Sequence, residues 1–532
     1  MSICEGEERQ NDGGKFWRVS QAFERWSRKD FDLAPTSMLL SVLVLLVASF
    51  VMLRVGDAIN GQGLAVTRYM AREQAPLAAH FYPNDSRPRI TVILYDDEFL
   101  EHEGEAWPLS YGTHAQWLER LLEIPASKPA AIFMDINFAQ KREDPSIAIL
   151  ADTLCRVRDE LGLPVFLAAL PNASDGRLAI RDELMPARQS DGGPCTILGG
   201  VNDAADPIDG VAWSYPLKWH IADGDTRPGP AQDGEYEFHS AALLIATETA
   251  KANGRSFRVD NEAPSLALMW GPSIPLLHPP DYWAHCTPAE SFWNLLVPYP
   301  IRHALGRTSA LMTCPTHPTL SVAQLNQLED EQLASYLDGA FVFIGARVAS
   351  YDDFAISPVH GRIPGIYVHA MALDNLLVYG QDYKQQVEWE LPPSRDLLLA
   401  GTTAILAVFT AHTLIWHLRT ALQPRLPRAF RSPRNIGMRF VVAIVGLLLW
   451  LLRLWLQFVI ALLMLVTMQA WFRIGMLPLV ELIGMTLLAE GLGILTSIRR
   501  FFAVEPPPEG APPANSGVAP SGASLAPLQE KV

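Results

Sequence analysis

The chain has 532 residues, 49% of them apolar, with 14 Trp and a mean hydropathy of +0.11. Soluble chains of this length are usually more polar, so membrane segments are expected. A formal charge of −15 and a pI near 5.4 exclude a nucleic-acid partner, because holding a polyanion needs Lys and Arg clustered on one face.

In chain order, residues 1–35 read as a cytoplasmic amino-terminal segment, with Phe16, Trp17, Phe23 and Trp26 among its charges, and form at most a helix along the membrane surface. Residues 36–53, TSMLLSVLVLLVASFVML, are an uncharged run just long enough to cross the hydrocarbon core of about 30 Å. The run follows about 35 mostly polar residues and lacks the short basic start of a cleaved signal, so an uncleaved anchor is expected.

Between residues 54 and 395 short β-branched runs alternate with helical periodicity, which is the pattern of an α/β domain. ITVILYDDEFL reads as a buried strand, HAQWLERLLEI as an amphipathic helix, AAIFMDINFAQ as a second strand, SIAILADTLCRVRDELG as a second helix and PVFLAAL as a third strand. HSAALLIATETAKANG follows as a helix, SLALMW and FVFIGA as strands, and GIYVHAMALDNLLVYG as a last helix. A mostly parallel sheet with helices on both faces is the expected fold. The stretches 171–235 and 272–320 are dense in Pro, Gly and Asp and read as ordered insertions or long loops.

Residues 396–418 read as a second span, 419–439 as a basic cytoplasmic loop, 440–472 as an interfacial helix with a third span, and 475–498 as a fourth. The 33 residues from 440 to 472 would make a helix of about 50 Å, too long for one upright span. Arg453 at its middle would cost roughly 2.5–3.5 kcal/mol at a bilayer centre, which places the third span near residues 456–471. Lys15, Arg18, Arg25, Arg28 and Lys29 before the first span, the six Arg from Arg419 to Arg439, and Arg499 with Arg500 then share the cytoplasmic side. The expected location is a cell's inner (plasma) membrane, crossed four times, with the large domain outside and both termini inside. An all-α transmembrane region thus accompanies the α/β domain. Residues 499–532 are rich in Pro, Ala, Gly and Ser and read as a disordered cytoplasmic tail, too short for an output domain.

Within this frame, the first strand ends in Asp96 and Asp97, then come Trp107-Pro108 and FMDINF with Asp135. VFIGA is followed by Asp352, Asp353 and Pro358, and PGIYVHA carries His369. This ordered set, with the spans after it, resembles the CHASE domain of type 2, an extracellular sensory domain associated with cyclases and histidine kinases. The resemblance covers roughly residues 89–500. It implies a sensor that binds an unidentified signal and, without an output domain here, passes it to a separate kinase or cyclase partner. By the same analogy it implies a homodimer.

Ligands of open α/β sheets bind beyond the carboxyl ends of the strands. Asp96, Asp97, Asp135, Asp352, Asp353 and His369 are therefore the candidate ligand-binding residues, with Asp96, Asp135 and Asp353 as central members. Carboxylates there suit Ca²⁺, Mg²⁺ or a small ligand. The competing reading is structural: Asp at a strand end caps backbone N–H groups, Asp135 makes a buried hydrogen bond, and His369 is a satisfied core histidine. No GxSxG, HExxH or GxxxxGK[ST] signature occurs, so an enzyme is not expected, and neither is a cofactor. A rival function is a scaffold that binds envelope material or another protein and transmits nothing.

Of five cysteines, Cys4 precedes the first apolar run and Cys155, Cys195, Cys286 and Cys314 lie between the first run and the second. No CxxC pair occurs, which argues against zinc. Four outer cysteines allow three pairings. Cys286 with Cys314 is the disulfide candidate, because both lie in loop-like, Pro-rich sequence, whereas Cys155 falls on the apolar side of a predicted helix and reads as a buried thiol.

Overall fold

The computed structural model describes residues 62–386, with breaks at 126, 173–176, 203–204, 207–208, 223–224, 229–234, 260–263, 289, 307–312, 350 and 352, together with scattered residues between 444 and 475. The expected spans 36–53, 396–418 and 475–498, the segment before the first, the basic loop and the tail lie outside the described residues. Among the described residues, no helix is long and apolar enough to cross a membrane.

Helix α1 (Gln62–Ala79) leads into β1 (Ile90–Asp96), α2 (Asp97–Glu103), α3 (Tyr111–Leu122), β2 (Ala131–Met134), α4 (Ile147–Leu161) and β3 (Val165–Pro171). An inserted stretch carries β4 (Leu178–Ala179), β5 (Ile197–Gly200), β6 (Ser214–Tyr215), β7 (Lys218–Ala222), β8 (Asp225–Pro228) and β9 (Glu237–His239). Then come α5 (Ala241–Ala252), β10 (Leu266–Ala267), α6 (Phe292–Leu295), α7 (Tyr299–Ala304), β11 (Thr319–Ser321), α8 (Gln324–Gln327) and α9 (Asp330–Leu337). Strand β12 (Phe341–Arg347), the hairpin β13 (Phe354–Ser357) with β14 (Gly361–Pro364), and α10 (Ile366–Tyr379) complete the domain.

The main sheet runs β11-β1-β12-β2-β3-β5 with every pair parallel, and β4 is added antiparallel to β3. Every residue of β1 and β2 is buried, as expected of parallel strands covered on both faces. Alternation sorts their side chains: Ile93, Tyr95, Ile132, Met134, Val342 and Ile344 pack under α3, α4 and α9. Val92, Leu94, Phe133, Phe341 and Phe343 face α5 and α10 on the other side. The α/β reading of the domain therefore holds.

Three local findings differ from expectation. The stretches read as insertions supply three strands of the main sheet, the antiparallel β4 and the parallel β5 and β11, each of only two to four residues. SLALMW gives only β10, which pairs antiparallel with β6 outside the main sheet. Cys155 is not a free thiol: it joins Cys195 across a Cα separation of 4.8 Å, tying α4 to the segment before β5. Cys286 is joined to Cys314 across 4.9 Å, beside a bridge between Thr287 and Thr313.

The described residues between 444 and 471 are helical. Val459, Leu462 and Val466 are buried in the core on the α10 face. The Trp455 indole donates to the Leu296 carbonyl at 3.0 Å. The buried Lys384 ammonium donates to the carbonyls of Ala470 at 3.2 Å and Phe472 at 2.6 Å, a cation at a helix carboxyl end. Of the residues within the stretch 456–471 expected as the third span, Val459, Leu462 and Val466 thus pack on the domain core, while Leu456 and Trp471 are exposed. Upstream, Ile444, Leu447, Leu448, Leu451 and Leu452 are exposed.

Gly345 in β12 shows how closely α10 is seated. A Cβ there would lie 2.8 Å from Ile366 Cδ1 and 3.0 Å from its Cβ, inside van der Waals contact. Gly345→Ala is expected to cost about 1–3 kcal/mol by overpacking, read as a lowered denaturation midpoint of the full chain. An unchanged midpoint would show that α10 can give way at its first turn.

Candidate functional site

The carboxyl edge of the sheet is built by short-range rules. Asp96 ends β1 in an extended conformation and its carboxylate accepts from the Phe99 amide at 2.9 Å, which caps α2. Burial raises its carboxyl above the usual range, opposed by the Phe99 amide, the Ser321 hydroxyl and Arg347. Its neighbour Asp97 accepts from the Ala349 amide at 3.1 Å, pinning the loop after β12. These two acids serve the backbone.

Asp135 follows β2 directly, and its amide donates to the Ile344 carbonyl at 2.8 Å. Its carboxylate Oδ2 stands 3.8 Å from His369 Nε2 on α10, and both side chains are about nine-tenths buried. His369 Nδ1 meets the Tyr215 hydroxyl of β6 at 2.8 Å, and the two rings cross edge to face at 5.5 Å. Burial pushes the imidazole down to about 4, with Asp353 pulling the other way. Burial alone lifts Asp135 to about 7. At neutral pH this is an uncharged imidazole facing a carboxyl poised to gain or lose its proton, not an ion pair.

Asp353 is positioned by a glycine. The Gly365 amide donates to the Asp353 carbonyl at 2.9 Å, and the Asp353 carboxylate occupies the space a Cβ at 365 would need. Tyr351 stands beside both acids: its phenol is raised by burial, then by Asp353 and Asp135. Its ring lies 5.6 Å from Trp107, which follows with Pro108 through a cis peptide bond. Trp107 in turn meets Tyr95 at 6.1 Å and His114 at 6.4 Å. An aromatic wall therefore borders the Asp135, Asp353 and His369 group.

Of the residues singled out by sequence, the structure brings Asp135, Asp353 and His369 together. It leaves Asp96 and Asp97 apart as backbone partners, because β12 lies between β1 and β2, and Asp352 falls outside the described residues. Sequence reasoning missed Tyr215 and Tyr351. Tyr215 sits on a two-residue strand within an irregular stretch, so no periodicity marks it. Tyr351 stands next to the Asp352 and Asp353 pair, the one signal that could have found it. Among the described residues, no group of three or more His, Cys, Asp or Glu side chains is arranged to hold a metal ion. The group can offer hydrogen bonds of either polarity and, when Asp135 is ionised, charge to a cationic ligand.

A family model, described as the CHASE2 domain, matches residues 39–411, well over half of the 532 residues. No curated protein and no solved structure matches the chain. CHASE2 is a sensory domain of signalling proteins rather than a catalytic one. On that match, covering both the sheet and the residues at its carboxyl edge, the chain belongs to the CHASE2 domain family.

Proposed function

We propose that this protein is a membrane sensor whose outer domain binds its signal at the Asp135, Asp353 and His369 group and passes the change to a separate signalling partner of the kinase or cyclase class. The observation that carries the reading is the Tyr215–His369–Asp135 chain, which links β6, α10 and the end of β2 through buried polar groups that titrate away from their usual values. A ligand that changes the charge of Asp135 changes what α10 faces. From the end of that helix at Tyr379 the chain leads on to the segment expected to form the second span. Transmission through α10 needs no new contact, only a shift of a helix already packed against the sheet.

Four crossings at 36–53, 396–418, within 440–472 and at 475–498, with both termini cytoplasmic, remain our reading of the topology. The packing of Val459, Leu462 and Val466 on the domain, with Ile444, Leu447, Leu448, Leu451 and Leu452 exposed upstream, favours the upstream part of 440–472 as the membrane part of the third span. Arg453 then lies near its end, within reach of the interface. Two disulfides suit an oxidising outer compartment.

Purification of the full chain in mild detergent, followed by mass spectrometry of bound protein and small molecules, tests the function. A kinase or cyclase partner is the expected result. Recovery of envelope components alone would replace the sensor with a scaffold.

A further inference from the structure

The Tyr215 hydroxyl that meets His369 belongs to β6, and the backbone of β6 leads elsewhere. Tyr215 pairs across the antiparallel β6–β10 ladder with Leu266, and Leu266 pairs on its other side with Gln385. The connector that leaves α10 thereby becomes a third strand: the Ala267 amide donates to the Lys384 carbonyl and the Gln386 amide to the Ser265 carbonyl, each at 2.8 Å. Gln385, between them, turns its own backbone groups the opposite way, onto a fourth segment. Its amide donates to the Arg473 carbonyl at 2.9 Å, and its carbonyl accepts from the Gly475 amide at 2.8 Å. A row therefore runs from Tyr215 through Leu266 and Gln385 to the segment 473–475, about 14 Å over three strand spacings of about 4.8 Å.

Packing fixes the far end of the row. A Cβ at 475 would overlap the Cβ of Ala267, so a glycine is what lets the fourth segment lie this close to β10. The Lys384 ammonium, on the carbonyls of Ala470 and Phe472, ties the helix that precedes the segment to the same connector. Gln386 is the last residue described ahead of the stretch expected as the second span, and Gly475 opens the stretch expected as the fourth. The chain leaving α10 reaches only the first of these stretches; the row reaches both. Hydrogen-bonded strands hold a fixed spacing, so a displacement of β6 is handed across the row rather than absorbed by side chains.

We propose that this row is a strap that couples the carboxyl-edge group to the stretches expected as the second and fourth spans at once, with Tyr215 as the positioning residue at one end and Gly475 at the other. What the strap transmits rests on the sensor reading of that group. That the two ends are tied together rests only on the backbone bonds of the row.

Coupling between two ends is reciprocal, so a change at either must be felt at the other. Hydrogen exchange on the full chain in mild detergent, with no signal molecule added, tests this from both sides. Tyr215→Phe, which removes only the hydroxyl bonded to His369, should speed amide exchange at 384–386 and 473–475 by about tenfold. Gly475→Ala should in turn change the exchange rate of the His369 ring C2 hydrogen by about fivefold. Lys384→Met, which frees the helix end without crowding β10, should do the same. The amides of β1 and β12 should keep wild-type rates in all three variants, which separates coupling from general loosening. An effect of Tyr215→Phe confined to residues 213–217, or a His369 ring rate that neither Gly475→Ala nor Lys384→Met moves, would overturn the strap. Faster exchange in β1 and β12 would overturn it too, since the change would then be global. Recovery of envelope components alone with the purified chain would remove the sensor reading and leave these rates, and the strap, in place.

Discussion

Cys155→Ser and Cys286→Ser should each lower the stability of the full chain by about 3.5–4 kcal/mol, the loop-closure value for bridged segments of 40 and 28 residues. The two losses have different local consequences. Cys155 sits on α4 and Cys195 just ahead of β5, so the first bridge clamps a four-residue strand onto β3. Losing it should free the far edge of the sheet, seen as faster hydrogen exchange over 195–200. Cys286 and Cys314 close the stretch that contains α6 and α7, and the Cys314 carbonyl also receives the His360 ring at 3.1 Å. Its loss should loosen that stretch while β5 keeps its protection. Non-reducing peptide mapping on freshly isolated membranes supplies the control. Both pairs recovered as free thiols would remove the basis of the stability effect and of the outer placement of the domain together.

The strand and helix order of the core was legible because its signals are local. ITVILYD, AAIFM and FVFIGA are buried on both faces and therefore continuously apolar, and HAQWLERLL lies within the amphipathic α3. Strands β5 and β11 were not legible: ILGG and TLS are too short to show a period, and their place is decided by β3 and β1, which they pair with. Gly199 and Gly200 even read as loop residues. They are glycines because a Cβ would strike Ala241 and Phe238, a demand of packing that only the folded chain states. The site shows the same division. Acids at strand ends were visible, yet which of them face a ligand and which cap the backbone depends on strand order. Asp96 and Asp135 look alike in sequence, and β12 between them sets one on a helix cap and the other against His369.

Asp135→Asn should stabilise the protein at pH 8 and leave it unchanged below pH 4. Burial holds the Asp135 carboxyl at about 7 in the fold against 3.8 when unperturbed, so between these values the folded chain holds a proton that the unfolded chain has released. Stability then falls as pH rises through that window, by an amount on the order of 4 kcal/mol in all. Asn keeps the size and never ionises, which removes the loss. His369 works in the opposite direction, since burial holds it at about 4 against 6.5: the unfolded chain binds the extra proton, and stability rises with pH between those values. In the wild type the two slopes oppose each other from about pH 4 to 6.5, and the net loss is concentrated near neutrality. In Asp135→Asn only the rising histidine slope survives. Urea midpoints of the full chain taken from pH 4 to 8 should therefore diverge, with the variant ahead at the alkaline end. Parallel profiles would mean that Asp135 is solvated or already paired, and the carboxyl-edge group would lose the residue whose change of charge is meant to move α10.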